Sequence, residues 1–536
     1  MQNENRYNNV NHESNACTSR GACSIAPNIA SLQDLVLHFI KEEAHYLLEL
    51  QKLGFSNRRI SLDIMNDLAS LVSVNEFSED QLYSIVLNEY YLLKNIKDTY
   101  HNICLEKNIA AWDLDSDVLF NEYTTLSQSI ALGEKIFMNN YKKMSPMQRK
   151  LTDILVIIVK SLSVHIVKLN DFSKFDIDAY SIILKSLDSL NKKYLSEDDL
   201  KLGIKELAKQ DCRLQLRISE ALFEQFGEIS KVNVSHSTKH GKAILVSGNN
   251  FFDLKNVLEQ TCGKNIDIYT HSNLLITHAL KDFQNYPHLK GHYGDTTESC
   301  ILDFATFPGA ILLTKSSRQN TEYLYRGRLF STDYTVPKGV IKIHDNDFEE
   351  LIDSALEAKG FKKGKNKQDS MVGYDLTEIK SKFEKIVSAL NTGKLSRLFI
   401  VGMDSYSEAQ KEYFKEFFSK MKKDEYAISF FYESDNKNVL TINVGNYLPL
   451  ATNIIMMFLK DYYDVKSEKL TFFCTNCNVM TISNIVMLHH SEAKNIFMSN
   501  CSASTINPAA LETFVKEYNL HITSSVSDDL AKIRKK

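Results

Sequence analysis

The chain has 536 residues, 43% hydrophobic and 24% charged, and its 63 lysines and arginines nearly balance 67 acidic residues, for a net charge of −4. That balance excludes any composition-level case for nucleic acid or an acidic membrane surface, and 19 glycines with 7 prolines exclude a loop-rich, collagen-like or disordered chain. Nine scattered cysteines, an odd number in so long a chain, do not make a secreted disulfide framework. At roughly 100–200 residues per domain, the length predicts about three domains.

Residues 1–27 form a polar, Asn-rich segment that carries Cys17 and Cys23. It has no apolar signal core, so a cytoplasmic protein with mostly reduced thiols is expected. Residues 28–228 read as a helical bundle domain. Asn28 is expected to cap its first helix. Leu32, Leu35, Val36, Phe39, Ile40, Leu47 and Leu50 then recur at three- and four-residue spacing, and Gly54 closes the segment. Ser145-Pro146 marks another helix start. The most apolar run, Leu151 to Leu169, is interrupted by Asp153, Lys160, His165 and Lys168, which fits a buried bundle helix better than a membrane span.

From about residue 229 the pattern changes to short β-rich runs separated by helical stretches, which indicates parallel sheets. The first α/β domain is assigned to 229–370, with strands AILVSG (243–248), IDIYTH (266–271), AILLT (310–314) and GVIKI (339–343) and helices near 251–261, 273–285 and 347–359. A Lys/Gly-rich stretch at 359–370 is the expected linker. The second α/β domain, 371–536, carries RLFIVG (397–402), YAISFFY (426–432), LTINVG (440–445), LTFFC (470–474) and NIFMS (495–499). The fold class expected is therefore mixed α and α/β: a helical bundle followed by two open parallel-sheet, Rossmann-like domains. No repeat of 20–50 residues is evident, although the two α/β halves could be related. Ligands of open α/β sheets bind beyond the carboxyl ends of strands, which selects Gly248-Asn249, His271-Asn273, Lys315-Ser317, Asp404, Tyr432, Tyr447 and Cys474-Cys477.

Several strings along the chain resemble one family. CTSRGACSIAPNIASLQDLV, AILVSGNNFFDLKNVLEQT, IDIYTHSNLLITHA, NYPHLKGHYG, FPGAILLT, RLFIVGMDS with EYFKEFF, and KNIFMSNCSASTINPAALETFV occur in order from residue 17 to about 520. They are similar to motifs of the hybrid-cluster proteins, the hydroxylamine reductases or prismane proteins, which are relatives of nickel-iron carbon monoxide dehydrogenases. The resemblance implies a helical domain with two α/β domains, and an oxidoreductase acting on hydroxylamine or nitric oxide through an iron–sulfur–oxo cluster held by His, Glu and Cys. It also implies where those ligands should stand. The His position falls on Asn249, one Glu on Asn273, and a Cys after the FPG strand on Ser317. The Cys positions of the second α/β domain fall on Asp404, Tyr432 and Tyr447, and the last Glu falls on Asn478. Ser, Tyr, Asp and Asn replace soft thiolates and carboxylates, and they bind iron poorly in such clusters. The expectation is loss of the hybrid cluster, giving a pseudoenzyme or partner subunit that pairs with itself or with an intact paralogue. The alternatives are a working family-type reductase, or a new activity in an emptied pocket.

The resemblance also implies four N-terminal cysteines for a second cluster, of which only Cys17 and Cys23 are present. Two thiolates per chain cannot hold a four-iron cluster alone. They could share one across a twofold axis between subunits, or be vestigial. Cys474 and Cys477 form a C-x-x-C with Cys501 downstream, a weaker alternative thiol site that could take zinc with His489 or His490. His271 and His278 bracket the lost Glu position and admit a structural or a catalytic reading equally. No Walker, G-x-G-x-x-G, G-x-S-x-G or H-E-x-x-H sequence occurs.

Overall fold

The computed structural model describes residues 26–72, 78–116, 118–192, 195–294, 300–315, 327–333, 336, 339–404, 406–461, 467–500 and 505–535. Cys17, Cys23, Ser317 and Cys501 lie outside the described residues. The chain forms two compact units, one of Met1–Leu214, Asn478–His490 and Cys501–Asn519, the other of Gln215–Cys477, Ser491–Asn500 and Leu520–Lys536.

The first unit is helical. Its helices are α1 (Pro27–Lys52), α2 (Arg58–Ser70), α3 (Glu79–Glu106), α4 (Leu126–Lys143), α5 (Pro146–Asp171), α6 (Ile177–Ser189) and the start of α7 (Glu197–Phe226). α1 packs against α3, α4 and α6, and all seven apolar positions of its periodic pattern are buried. Asn28 does not cap it. The helix begins at Pro27, whose missing N–H suits the first turn, with Ala26 before it. Asn28 instead donates to Glu79 Oε1 at 2.9 Å. α5 starts as expected: Ser145 and Gln148 form a reciprocal capping box ahead of Pro146. Two of its polar interruptions, Lys160 and His165, have hydrogen-bond partners inside the unit. His165 Nδ1 lies 2.6 Å from Asp211 Oδ1, and the Ser161 hydroxyl donates to Asp211 Oδ2 at 2.8 Å. No helix among the described residues is long and apolar enough to cross a membrane.

The second unit holds two six-stranded sheets. In chain order its elements are β1 (Val232–Val234), β2 (Lys242–Ser247), α8 (Phe251–Thr261), β3 (Ile266–His271), β4 (Leu289–His292), α9 (Cys300–Thr306), β5 (Ala310–Leu313), β6 (Leu329–Ser331), β7 (Ile341–Lys342), α10 (Glu349–Glu357), β8 (Ser370–Val372) and α11 (Leu376–Asn391). β9 (Arg397–Val401), α12 (Lys411–Ser419), β10 (Glu425–Ser429), β11 (Val439–Thr441), α13 (Leu448–Asp461) and β12 (Leu470–Cys474) follow. After β12 the chain makes α14 (Val479–His490), β13 (Ile496–Met498), α15 (Pro508–Glu517), β14 (Leu520–Ile522) and α16 (Val526–Lys535). α14 and α15 belong to the helical unit and pack on α5.

Both large sheets are wholly parallel, ordered β4-β3-β2-β5-β6-β7 and β11-β10-β9-β12-β13-β14. Numbered within each sheet, both read 3-2-1-4-5-6, the doubly wound order whose switch point lies between strands 1 and 4. The fold is thus a helical bundle followed by two Rossmann-like sheets. Central strands are buried along nearly their whole length, as parallel strands covered on both faces must be. Phe399, Phe414, Phe417, Phe473 and Phe497 pack in one core of the second sheet, each adding about 1.5–3 kcal/mol by burial.

Two expectations need correction. The 273–285 stretch is not an α-helix: it forms 3-10 turns at Ser272–Ala279 and Phe283–Asn285, entered through Ser272 at φ +61°. The 359–370 stretch joins the two sheets but is tied down. Phe361 and Gly241 exchange backbone hydrogen bonds of 2.8 and 3.1 Å, Thr238 and Lys365 exchange bonds of 2.9 and 3.2 Å, and β8 pairs antiparallel with β1.

Candidate functional site

The strand ends beside the two switch points are where a doubly wound unit would bind a ligand. In the first sheet these are the turns after β2 and β5. The backbone N–H groups of Asn249 and Asn250 donate to Thr314 Oγ1 at 3.1 and 3.2 Å. Asn250 then caps α8 by accepting from Phe252 and Asp253 N–H. Asp253, buried, accepts from Lys315 N–H at 2.8 Å and from the Thr332 hydroxyl at 2.7 Å. The crevice edge is therefore laced by hydrogen bonds within the protein.

The second switch point is treated the same way. Asp404, 1% exposed, follows β9. Its Oδ1 accepts from Thr475 N–H at 2.9 Å and from the Thr475 hydroxyl at 3.2 Å, and its Oδ2 accepts from Asn476 N–H at 2.6 Å. The carboxylate thus holds the turn after β12 against the turn after β9. Charge-assisted bonds of this kind are the strong ones.

The loops at these ends meet across the two sheets. Asn446 donates through Nδ2 to Asn273 Oδ1 at 2.9 Å and accepts at Oδ1 from Tyr406 N–H at 2.7 Å. Gly445 before it takes φ +59°, and a Cβ there would lie 2.5 Å from the Ile276 nitrogen, so the close approach requires glycine. Tyr432, 4% exposed, donates its hydroxyl proton to Ser407 O at 3.0 Å and accepts from Ser407 N–H at 3.1 Å. Its ring lies 4.8 Å from Phe414 and 5.2 Å from Tyr406. Tyr447, also buried, sits 5.0 Å from Phe251. Asn273, Asp404, Tyr432 and Tyr447, with Asn249 two residues before Phe251, are gathered at these ends; Asp404, Tyr432 and Tyr447 are buried, and Asn249 and Asn273 are half-buried. Asn478 belongs to the helical unit, where its Oδ1 caps α14 by accepting from Met480 and Thr481 N–H at 3.0 Å each. Replacing Tyr432 by Phe strands the N–H of the buried Ser407 and leaves Ser407 O with the Gln410 N–H alone, and a loss of about 1–3 kcal/mol in urea unfolding is expected.

The histidines near Asn273 are engaged by groups within the protein. His271 Nδ1 lies 2.8 Å from Ser247 Oγ, and its Nε2 lies 3.3 Å from Asp303 Oδ2. The Thr270 hydroxyl bridges His278 Nε2 and His292 Nδ1, both at 2.9 Å. Burial pushes His278 down to about 4 and His292 well below the usual histidine range.

Of the late cysteines, Cys474 and Cys477 lie within the described residues. Cys474 is free and buried, and burial, reinforced by the Asp404 charge, raises its thiol well above the ordinary range, so the reactive thiolate is suppressed. Cys477 is disulfide-bonded. His489 and His490 end α14, with their rings 5.2 and 6.3 Å from Tyr518. Among the described residues, no group of three or more His, Cys, Asp or Glu is arranged to hold a metal ion. Strand-end reasoning found Asn249, Asn273, Asp404, Tyr432 and Tyr447. It missed Thr314, Tyr406 and Asn446, groups that tie those residues down, because such partners carry no motif.

A family model described as the Prismane/CO dehydrogenase family matches residues 11–428. The hydroxylamine reductase of Syntrophobacter fumaroxidans is 28% identical over 409 residues, covering 76% of this chain and 74% of that protein. That of Thermodesulfovibrio yellowstonii is 24% identical over 542 residues, covering 97% and 98%, and that of Rhodospirillum rubrum is 24% identical over 534 residues, covering 96% of each. Among solved structures, a carbon monoxide dehydrogenase from Thermococcus sp. AM4 superposes with a TM-score of 0.48 at 10% identity, covering 95% of this chain and 86% of that one.

Proposed function

This chain belongs to the Prismane/CO dehydrogenase family, and from that premise we propose that it is a hydroxylamine-reductase homologue whose hybrid-cluster position has become protein core. On this reading it is a cytoplasmic pseudoenzyme that serves as a partner subunit, pairing with a second copy or with an intact paralogue.

The observation that carries the reading is the chemistry and engagement of the donor set. Iron–sulfur clusters need thiolates. The positions that the resemblance assigns to ligands hold Asn249, Asn273, Asp404, Tyr432 and Tyr447. Asp404, the best donor among them, spends both oxygens on Thr475 and Asn476. The Tyr432 hydroxyl both donates to and accepts from Ser407 backbone. The Asn273 carbonyl oxygen is taken by Asn446. These residues do not fit the hybrid cluster, and the chemistry left to them is structural. Cys17 and Cys23 still allow one metal in this reading, a four-iron cluster shared between two subunits.

The test is turnover. Protein purified anaerobically and supplied with reduced methyl viologen is expected to reduce hydroxylamine no faster than the viologen alone. Hydroxylamine reduction that saturates with substrate and scales with protein concentration would overturn the pseudoenzyme reading.

A further inference from the structure

The described residues of 107–125, between α3 and α4, form no helix or strand, yet the segment is fixed to the bundle at both ends and in the middle. Trp112 N–H donates to the Tyr100 hydroxyl at 3.2 Å. The Tyr46 hydroxyl donates to Asp113 Oδ1 at 2.9 Å and accepts from Leu114 N–H at 3.1 Å. Midway, the Phe120 ring sits 5.3 Å from Phe39 and 5.1 Å from Tyr90. At the far end the Tyr83 hydroxyl donates to Thr124 O at 2.5 Å. The anchors step back along α3 from Tyr100 to Tyr83, so the segment is laid antiparallel on that helix over about 25 Å.

Outward it presents apolar side chains: Leu119 is 87% exposed, Tyr123 81% and Trp112 61%, with Leu105 at the end of α3 at 77%. Scattered exposed apolar residues are ordinary; several in one pinned strip, including a tryptophan and a tyrosine, mark an interaction surface. A long irregular segment held this firmly is also of the kind that serves function. The strip is acidic. Residues 105–125 contain Glu106, Asp113, Asp115, Asp117 and Glu122 against Lys107 alone, a net of −4 that equals the net charge of the whole chain. A second copy of the same strip would bring like charges together, which disfavours a self-interface there.

We propose that this strip docks a lysine- or arginine-rich amphipathic helix of a protein partner. Charge complementarity selects the basic face, and the apolar side chains would meet its hydrophobic stripe. A helix of about 17 residues matches the length of the strip. The inference does not depend on the fate of the cluster.

Trp112 is the chain's one tryptophan, so its emission reports this site directly. Two synthetic, tryptophan-free helical peptides with the same leucine stripe, one with lysine and one with glutamate on the polar face, are the probes. The lysine peptide is expected to shift Trp112 emission to the blue, with binding about tenfold weaker in 0.3 M salt than at low salt; the glutamate peptide is expected to leave emission unchanged. Asp115→Lys/Glu122→Lys and Leu119→Ala/Tyr123→Ala should each weaken binding at least about tenfold. Thermal unfolding should stay unchanged in both variants, because these side chains are exposed. No response to the lysine peptide, an equal response to both, or full binding by the Leu119→Ala/Tyr123→Ala variant would overturn the proposal. So would concentration-dependent dimerisation that this variant abolishes, since the strip would then belong to a second copy.

Discussion

Replacing Asp404 by Cys, the residue the family resemblance places there, is expected to destabilise the protein by about 3–5 kcal/mol. The Asp404 carboxylate is the common acceptor for Thr475 N–H, the Thr475 hydroxyl and Asn476 N–H. A thiol is a weak acceptor and presents one atom where two oxygens stood. The Thr475 and Asn476 backbone donors would be left short of partners beside a fully packed strand end, at about 1–3 kcal/mol each. Asp404→Asn keeps one acceptor oxygen and turns an NH2 toward a donor, so an intermediate loss is expected. Urea unfolding of the three proteins, read by tyrosine fluorescence or circular dichroism, should rank them Asp, Asn, Cys in falling stability. An Asp404→Cys variant as stable as the parent would mean that the carboxylate is not the keystone of the second switch point.

Replacing both Glu43 and Glu89 by Gln should do the opposite and stabilise the helical unit at neutral pH. Both side chains are fully buried, on α1 and α3, with Asp67 of α2 nearby. Burial raises both carboxyls above the usual range, and for Glu89 the neighbouring Glu43 and Asp67 charges raise it further. In the unfolded chain they ionise near 4.5. A raised folded value gives stability that is full below the unfolded value and is lost as pH rises toward the folded one. Each affected carboxyl costs about 1.4 kcal/mol per pH unit across that window. The double Gln variant has nothing to titrate there. Its advantage over the parent should be small at pH 5 and grow by about 5 kcal/mol by pH 7, two carboxyls each acting over two pH units. Unfolding free energies at the two pH values check this, and an advantage independent of pH would contradict it.

Much of the architecture is legible in the amino-acid sequence, because the signals are local. The α1 stripe, the Ser145-Pro146 start and the central strands each announce themselves within a dozen residues. The strands that escaped, β1, β4, β6, β8 and β14, have three or four residues and depend on neighbours for their pairing. Asn28 misled because Pro27 beside it is the better helix starter. The 273–285 helix failed because Ser272 turns the chain through a left-handed conformation that an α-helix cannot follow. The site divides along the same line. Asn273, Asp404 and Tyr432 are visible as strand-end residues. What they do is set by Asn446, 173 residues from Asn273, by Thr475, 71 residues from Asp404, and by Ser407, 25 residues from Tyr432. Partners that distant leave no pattern in the sequence.

The central claim is that the positions which should hold the hybrid cluster have become ordinary core. It is tested most directly by iron and acid-labile sulfide in the chain purified under strict anaerobiosis, alone and as Cys17→Ser/Cys23→Ser. The prediction is either no cluster iron, or at most about two irons per chain that vanish completely in the double variant. About four or more irons per chain with matching sulfide, still present in that variant, would contradict it.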